Sequence, residues 1–238
     1  MSTAVVVLSG KGGTAKTLWQ LTMAGEASRA SMRTLLVDMD PERNLSNRFS
    51  ISQDASGLGD VLRAAGAGTG ETDPGPGSAQ LLEEIVSAEM SVAAPWPHVD
   101  LLPAGASLVG LSQVTIDDGW LLRDIFEGAS IQDHYELVLF DTGGRRGSLV
   151  NLAMYAANVA YAPIAPTHDA VRKALEARSR VHRVQRSLPS LRWAGSVHEA
   201  FQICERLGDR GDPASSELAK IFADFLRTDI MASTGANA

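Results

Sequence analysis

The sequence predicts an α/β protein: a mostly parallel, doubly wound sheet with helices on both faces. Four short apolar runs, at 4–8 (AVVVL), 34–37 (TLLV), 137–140 (LVLF) and 159–164 (VAYAPI), are continuous rather than alternating and stop at polar or turn residues. Strands covered on both faces read this way. Helical patterning separates the runs, as crossover connections between parallel strands require. The chain has 238 residues, 45% of them apolar, enough for one sizeable core, so a single domain over 1–238 is the simplest fit.

Taken in order, the strand at 4–8 runs through a glycine-rich turn into a helix at about 17–31, and the strand at 34–37 follows. The stretch 64–78 (AAGAGTGETDPGPGS) has too little apolar area to offset its ordering entropy and reads as a mobile surface loop. Helices are expected at 79–90, at 119–128, at 169–188 before Pro189, and from Pro213 to about 230. In the last of these, Leu218, Ile221, Phe222, Phe225 and Leu226 fall at helical spacing beside both acidic and basic residues. That composition fits a core-packing helix better than a basic membrane-surface one.

Composition excludes several function classes. With 21% charged residues and a net charge of −7, the chain is neither disordered throughout nor basic throughout. No apolar stretch reaches the roughly 18 residues of a membrane span, since 152–166 is interrupted by Asn158, Pro163 and Pro166. No basic leader precedes the first apolar run, and a cytoplasmic protein without membrane association is expected. Cys204 is the only cysteine, so an intrachain disulfide and a cysteine-rich metal cluster are both excluded, and the five histidines show no metal-ligand spacing.

The segment 10–17 (GKGGTAKT) lies between the first strand and the first helix, where a phosphate cradle belongs. A phosphate chain needs inward-turned backbone N–H groups and gains from the positive end of a helix dipole. Gly10, Gly12 and Gly13 leave room for that backbone, and Lys11, Thr14 and Ala15 complete the loop. Lys16 can reach terminal phosphates as a point charge, and the Thr17 hydroxyl can ligate Mg²⁺. The order fits GxxxxGK[ST] except that Ala15 stands at the last glycine, a change that costs about 1 kcal/mol if the position needs positive φ. Asp141 ends the apolar run at 137–140, a place from which a carboxylate can hold Mg²⁺. On pleat alternation, Asp38 and Asp40 point to opposite sides if the strand continues through them.

Together, 11–17 (KGGTAKT), 35–46 (LLVDMDPERNLS), 99–104 (VDLLPA), 135–147 (YELVLFDTGGRRG) and 160–166 resemble the ParA/MinD family of deviant Walker A ATPases. The DTGGR stretch looks like the small plasmid-type branch, where many relatives carry paired prolines instead of Gly143 and Gly144. The likeness spans residues 1 to about 185. It implies a P-loop NTPase fold, a DNA-partition (segregation) ATPase that uses ATP and Mg²⁺, and a nucleotide cradle over residues 10–17. Metal contacts are implied at Thr17, Asp38 and Asp141, and catalytic roles at Asp40, Lys11 and Lys16. In that pattern Asp40 aligns the attacking water, and Lys11 reaches a partner protomer's phosphates like an arginine finger supplied in trans. A homodimer in the ATP-bound state, nonspecific double-stranded DNA, a ParB-like centromere-binding partner and nucleoid association follow as implications of the same resemblance. From another class, a nucleotide-binding positioning switch or scaffold with negligible hydrolysis stays compatible with Ala15 and with the region after Leu191. Relatives usually carry two further strands and an intervening helix there, whereas 193–197 (WAGSV) runs almost directly into 198–207, so the C-terminal part looks shortened and no adenine contact is assigned.

Charge is segregated on this acidic chain. Residues 172–192 hold seven of the 21 Lys and Arg and one acid, a net +6 against −13 elsewhere. On a helix, Arg172, Lys173, Arg180, Arg183 and Arg186 share an arc of about 140°, with Ala177, Val181, Val184 and Leu188 on the other side. A cationic stripe without interleaved aromatics suits sequence-independent contact with DNA phosphates. A merely solvated helix face is the alternative.

Overall fold

The four apolar runs form strands, and two further strands join them in one sheet. The structure, a computed structural model, is described over residues 2–8, 16–89, 96–112, 116–144, 147–163 and 168–197. In chain order the elements are β1 Thr3–Val7, α1 Lys16–Arg29, β2 Thr34–Met39, α2 Asn44–Arg48, α3 Leu58–Ala64, α4 Pro76–Glu89, β3 Val99–Leu102, α5 Leu108–Leu111, α6 Leu121–Gly128, α7 Ile131–His134, β4 Leu137–Thr142, α8 Ser148–Ala156, β5 Val159–Pro163, α9 His168–Val184 and β6 Arg192–Val197. The strand order is β3-β2-β4-β1-β5-β6, and every pairing is parallel. All strand carboxyl ends therefore lie along one rim of the sheet, where open α/β folds bind ligands.

The continuous apolar character of the strands is explained by two cores of unequal make-up. Val5, Val7, Leu36, Leu137 and Leu139 face the layer formed chiefly by α1, while Val6, Leu35, Val37, Val138 and Phe140 face the layer formed by α3, α4, α6, α8 and α9. Residues of one strand thus alternate between two buried layers, and neither set can be polar. On α1, Trp19, Gln20, Met23, Ala24 and Ala27 make the buried face. Trp19 meets Tyr161 of β5 edge-on with ring centroids 6.2 Å apart, a contact that adds about 0.5–1.5 kcal/mol beyond its area. The Gln20 amide nitrogen donates to the Phe140 carbonyl at 2.8 Å. These contacts fix the start of α1 against β4 and β5.

Three expectations change. The stretch 64–78 is not one free loop: α3 runs to Ala64, α4 begins at Pro76, and Ala65 and Ala67 are buried between them. The Asp73 N–H bonds the Ala65 carbonyl and the Thr69 hydroxyl bonds the carbonyls of Gly66 and Glu71, so its backbone polar groups are partly satisfied within the segment. Second, 192–197 forms β6 in register with β5, with one irregularity at Ala160/Tyr161. Third, α9 ends at Val184, so Arg186 lies just past the helix. The helix expected from Pro213 to about 230 lies outside the described residues.

Candidate functional site

The carboxyl-end rim gathers five of the expected residues. Lys16 and Thr17 open α1, Asp141 is the penultimate residue of β4, and Asp38 and Asp40 flank the end of β2. The Thr17 hydroxyl donates to Asp141 Oδ2 at 2.6 Å. Asp141 Oδ1 is buried with no hydrogen-bond partner among the described residues. Burial pushes the Asp141 carboxyl up to about 7 against the Thr17 hydrogen bond, with the Asp38 and Asp40 charges adding to the rise and Lys16 opposing it. Lys16 is itself buried, which lowers its ammonium pKa against the pull of Asp141, Asp40 and Glu42. A cation set among three carboxylates and a carboxylate with an orphaned oxygen leave this rim short of a positively charged, oxygen-seeking ligand.

Pleat alternation does not separate Asp38 from Asp40. The strand ends at Met39, the chain turns, and both acids act on Asp141. Asp38 Oδ1 accepts the Asp40 N–H at 3.0 Å, and Oδ2 accepts the Ser46 N–H at 2.8 Å and the Ser46 hydroxyl at 2.6 Å. Burial pushes Asp38 up to about 6 despite those bonds. Asp38 thus acts as the internal brace of the β2–α2 turn, with both oxygens taken up by its own chain. Asp40 Oδ1 accepts the Glu42 N–H at 3.1 Å and Oδ2 accepts the Asn44 amide at 2.7 Å. A cavity of about 270 Å³ opens beside Asp40, lined also by Pro41, Val109, Gly143 and Leu149.

The basic set lies on α9 and the turn that follows it. On α9, Ala177, Val181 and Val184 are buried, and Arg172 and Arg183 are exposed, as the helical spacing predicts. Lys173 and Arg180 are half-buried, and Arg172 pairs with Glu176 at 3.0 Å. Arg172, Arg180 and Arg183 border a cleft of about 760 Å³ against Ser148 and Asn151 of α8. Gly10, Lys11, Gly12, Gly13, Thr14 and Ala15 lie outside the described residues. Among the described residues no cluster of His, Cys, Asp and Glu forms a metal site, and no helix is long and apolar enough to cross a membrane.

Sequence reasoning passes over Ser46, which links Asp38 to the Ala104 N–H at 3.1 Å, and it reads Asn44 and Gly143 only as motif positions, without their contacts to Asp40. Their partners lie four to about a hundred positions away, and no periodicity marks them.

A parallel sheet whose strand-end acids meet a lysine and a threonine at the start of the first crossover helix defines the P-loop NTPase class of α/β fold. Within that class, the chain belongs to the ParA/MinD family, its residues 2–191 matching the family model AAA_31, described as "AAA domain". It is 27% identical over 222 residues to the chromosome partitioning protein ParA of Caulobacter vibrioides, covering 91% of this chain and 73% of that one. Among solved structures it resembles cobyrinic acid a,c-diamide synthase of Mycobacterium smegmatis with bound ADP and magnesium, at a TM-score of 0.71 and 19% identity over 100% of this chain and 97% of the other. A plasmid partition protein of Borrelia burgdorferi matches at a TM-score of 0.67 and 16% identity over 95% of this chain and 98% of the other. At these identities the structural matches concern the fold.

Proposed function

We propose that the chain is a Mg²⁺-dependent DNA-partition ATPase that dimerises with ATP and binds double-stranded DNA without sequence preference. The observation that carries the proposal is Asp141: hydrogen-bonded to Thr17 through one oxygen, without a partner among the described residues at the other, and set beside Lys16 and Asp40. The hard oxygens of Thr17 and Asp141 fit Mg²⁺, which when bound neutralises charge on the phosphate oxygens. Asp38, expected among the metal contacts, is given instead the bracing of the β2–α2 turn, because each of its oxygens already accepts hydrogen bonds from Ser46 or Asp40. Lys16 holds the terminal phosphates, and backbone N–H groups of 10–15 cradle the chain of phosphates. Asp40 accepts a hydrogen bond from the attacking water and aims it at the γ-phosphorus, the positioning that a largely electrostatic phosphoryl transfer needs. Lys11 adds positive charge across the dimer.

The partition role draws support from the Caulobacter and Borrelia relatives and from the cationic side of α9. A ParB-like stimulating partner and a cytoplasmic, nucleoid-associated location belong to the same reading. Phosphate release and retention of random duplex DNA, each measured with and without ATP, test it together. Lys16→Ala is expected to abolish both activities. Replacing Arg183 and Arg186 by Glu is expected to reduce DNA retention and to flatten its salt dependence, which in wild type lies at about −0.9 per phosphate contact on a log–log plot, while leaving phosphate release intact. Nucleotide-dependent DNA retention without phosphate release identifies the switch or scaffold instead, and turnover surviving Lys16→Ala overturns the site.

A further inference from the structure

We infer that Gly143 is a positioning residue that fixes where the Asp40 carboxylate sits. The inference rests on the reading of Asp40 as the water-aligning group, but its geometric core is independent of that role. A Cβ added at Gly143 would stand 2.7 Å from Asp40 Oδ1, 3.3 Å from its Cγ and 3.5 Å from Pro41 Cδ. A carbon–oxygen approach that short is repulsive, so either the loop after β4 or the carboxylate must move. The carboxylate is the softer of the two only if nothing holds it. Here it is held: Glu42 N–H bonds Oδ1, the Asn44 amide bonds Oδ2, and the side chain is buried. Gly143 therefore walls Asp40 on one side while Asn44 anchors it on the other.

The need for glycine is a need for space. Gly143 is not among the glycines in the left-handed region, so its backbone does not demand the residue. The loop that carries it follows Asp141 directly in sequence, and the turn that carries Asp40 follows β2, the neighbour of β4 in register from Thr34↔Leu137 to Met39↔Thr142. The end of β4 thus supplies both the metal-binding carboxylate and the wall of the water-aligning one in a single DTG stretch, and the turn after the adjacent strand β2 supplies Asp40 itself. Even a small displacement of Asp40 affects a reaction that depends on alignment, while Lys16, Thr17 and Asp141 keep their places.

The test is a double-variant cycle on the full chain, reading steady-state ATP turnover, nucleotide affinity and thermal unfolding for wild type, Gly143→Ala, Asp40→Ala and the double variant. Gly143→Ala is expected to lower kcat by about tenfold or more with nucleotide Kd changed by less than about twofold, the pattern of a lost alignment rather than lost binding. With Asp40→Ala in place, the added methyl has no carboxylate to displace, so the double variant should turn over no slower than Asp40→Ala. The thermal midpoint should fall on Gly143→Ala when Asp40 is present and not when it is absent. Gly147→Ala is the control, since a Cβ there meets no described atom within 4 Å. A Gly143→Ala chain that folds only together with Asp40→Ala supports the contact equally. Wild-type kcat in Gly143→Ala, or equal losses in both backgrounds, overturns the inference. If the wild-type chain releases no phosphate, the ATPase reading fails by itself, and the thermal cycle then decides the contact: coupling upholds it and additivity removes it.

Discussion

Asp38 and Asp141 are register partners on neighbouring strands, both buried, and they have opposite surroundings. Among the described residues, Asp38 accepts three hydrogen bonds from its own turn, and Asp141 accepts one. The carboxyl with fewer bonds has the higher pKa, about 7 against about 6, although burial is the first cause for both. A buried carboxylate whose oxygens both accept backbone or hydroxyl donors is part of the framework. One left with a bare oxygen retains a demand that a cation can meet. Position at a strand end does not tell these cases apart, and hydrogen-bond accounting does.

The sharpest way to break the comparison is to remove the charge from the unsatisfied member. Asp141→Asn keeps the size and one oxygen but loses the anionic ligand. It is expected to eliminate the Mg²⁺-dependent gain in ATP affinity, about a hundredfold or more, leaving the Mg²⁺-independent affinity nearly unchanged. Calorimetric titration of nucleotide with Mg²⁺ or with EDTA reads this directly. A full Mg²⁺ response in Asp141→Asn would move the metal to other oxygens, with Asp38 the first to consider.

The second prediction uses protons to probe both acids. Each has a folded-state pKa above its ordinary value of 3.8, so over the intervening range the folded chain binds more protons than the unfolded one. By linkage, their contribution to stability is fully present below about pH 4 and is lost as pH rises through about 6 and then about 7. In EDTA, the stability of wild type relative to Asp141→Asn should therefore decline from pH 5 to pH 8, by on the order of a few kcal/mol. Mg²⁺ displaces the proton from Asp141, so its stabilising effect should grow across the same range. Denaturant unfolding at several pH values checks both slopes, and parallel curves for the two proteins would show that Asp141 ionises without penalty in the folded chain.

The framework was more legible in the sequence than the site. The runs at 4–8, 34–37, 137–140 and 159–164 announce strands because both faces of each are buried, and burial on two sides leaves an uninterrupted apolar signature. The face of α9 was legible for the complementary reason, that one side is buried and the other exposed. The 192–197 strand was not, since Arg192, Gly195 and Ser196 dilute the apolar signal of an edge strand. At the rim, the identities of Lys16, Thr17, Asp40 and Asp141 were readable from motif and context. The difference in hydrogen bonding between Asp38 and Asp141 was not, because it depends on Ser46, eight residues from one and far in sequence from the other. The role of Gly143 depends likewise on a contact across about a hundred residues, which a single sequence does not encode locally.

The smallest effect comes from making Asp38 resemble Asp141. Ser46→Ala deletes the hydroxyl that donates to Asp38 Oδ2 and accepts the Ala104 N–H, and it leaves the Ser46 backbone N–H bond in place. Two buried partners lose a bond at once: the carboxylate keeps two donors, but the Ala104 N–H has no replacement in a site closed to water. Leaving such a donor unsatisfied costs about 1–3 kcal/mol, and the loss should show in denaturant unfolding as a lower midpoint with an unchanged slope. Ala104 also receives the Gly59 N–H at its carbonyl, so the same hydroxyl helps to seat α3 through the loop after β3. ATP affinity in Mg²⁺ should change by less than about threefold, because Lys16, Thr17 and Asp141 are untouched and a brace acts on binding only through the groups it supports. A large fall in Mg²⁺-dependent affinity with little loss of stability would reverse the assignment, making Asp38 the ligand and Ser46 the group that orients it.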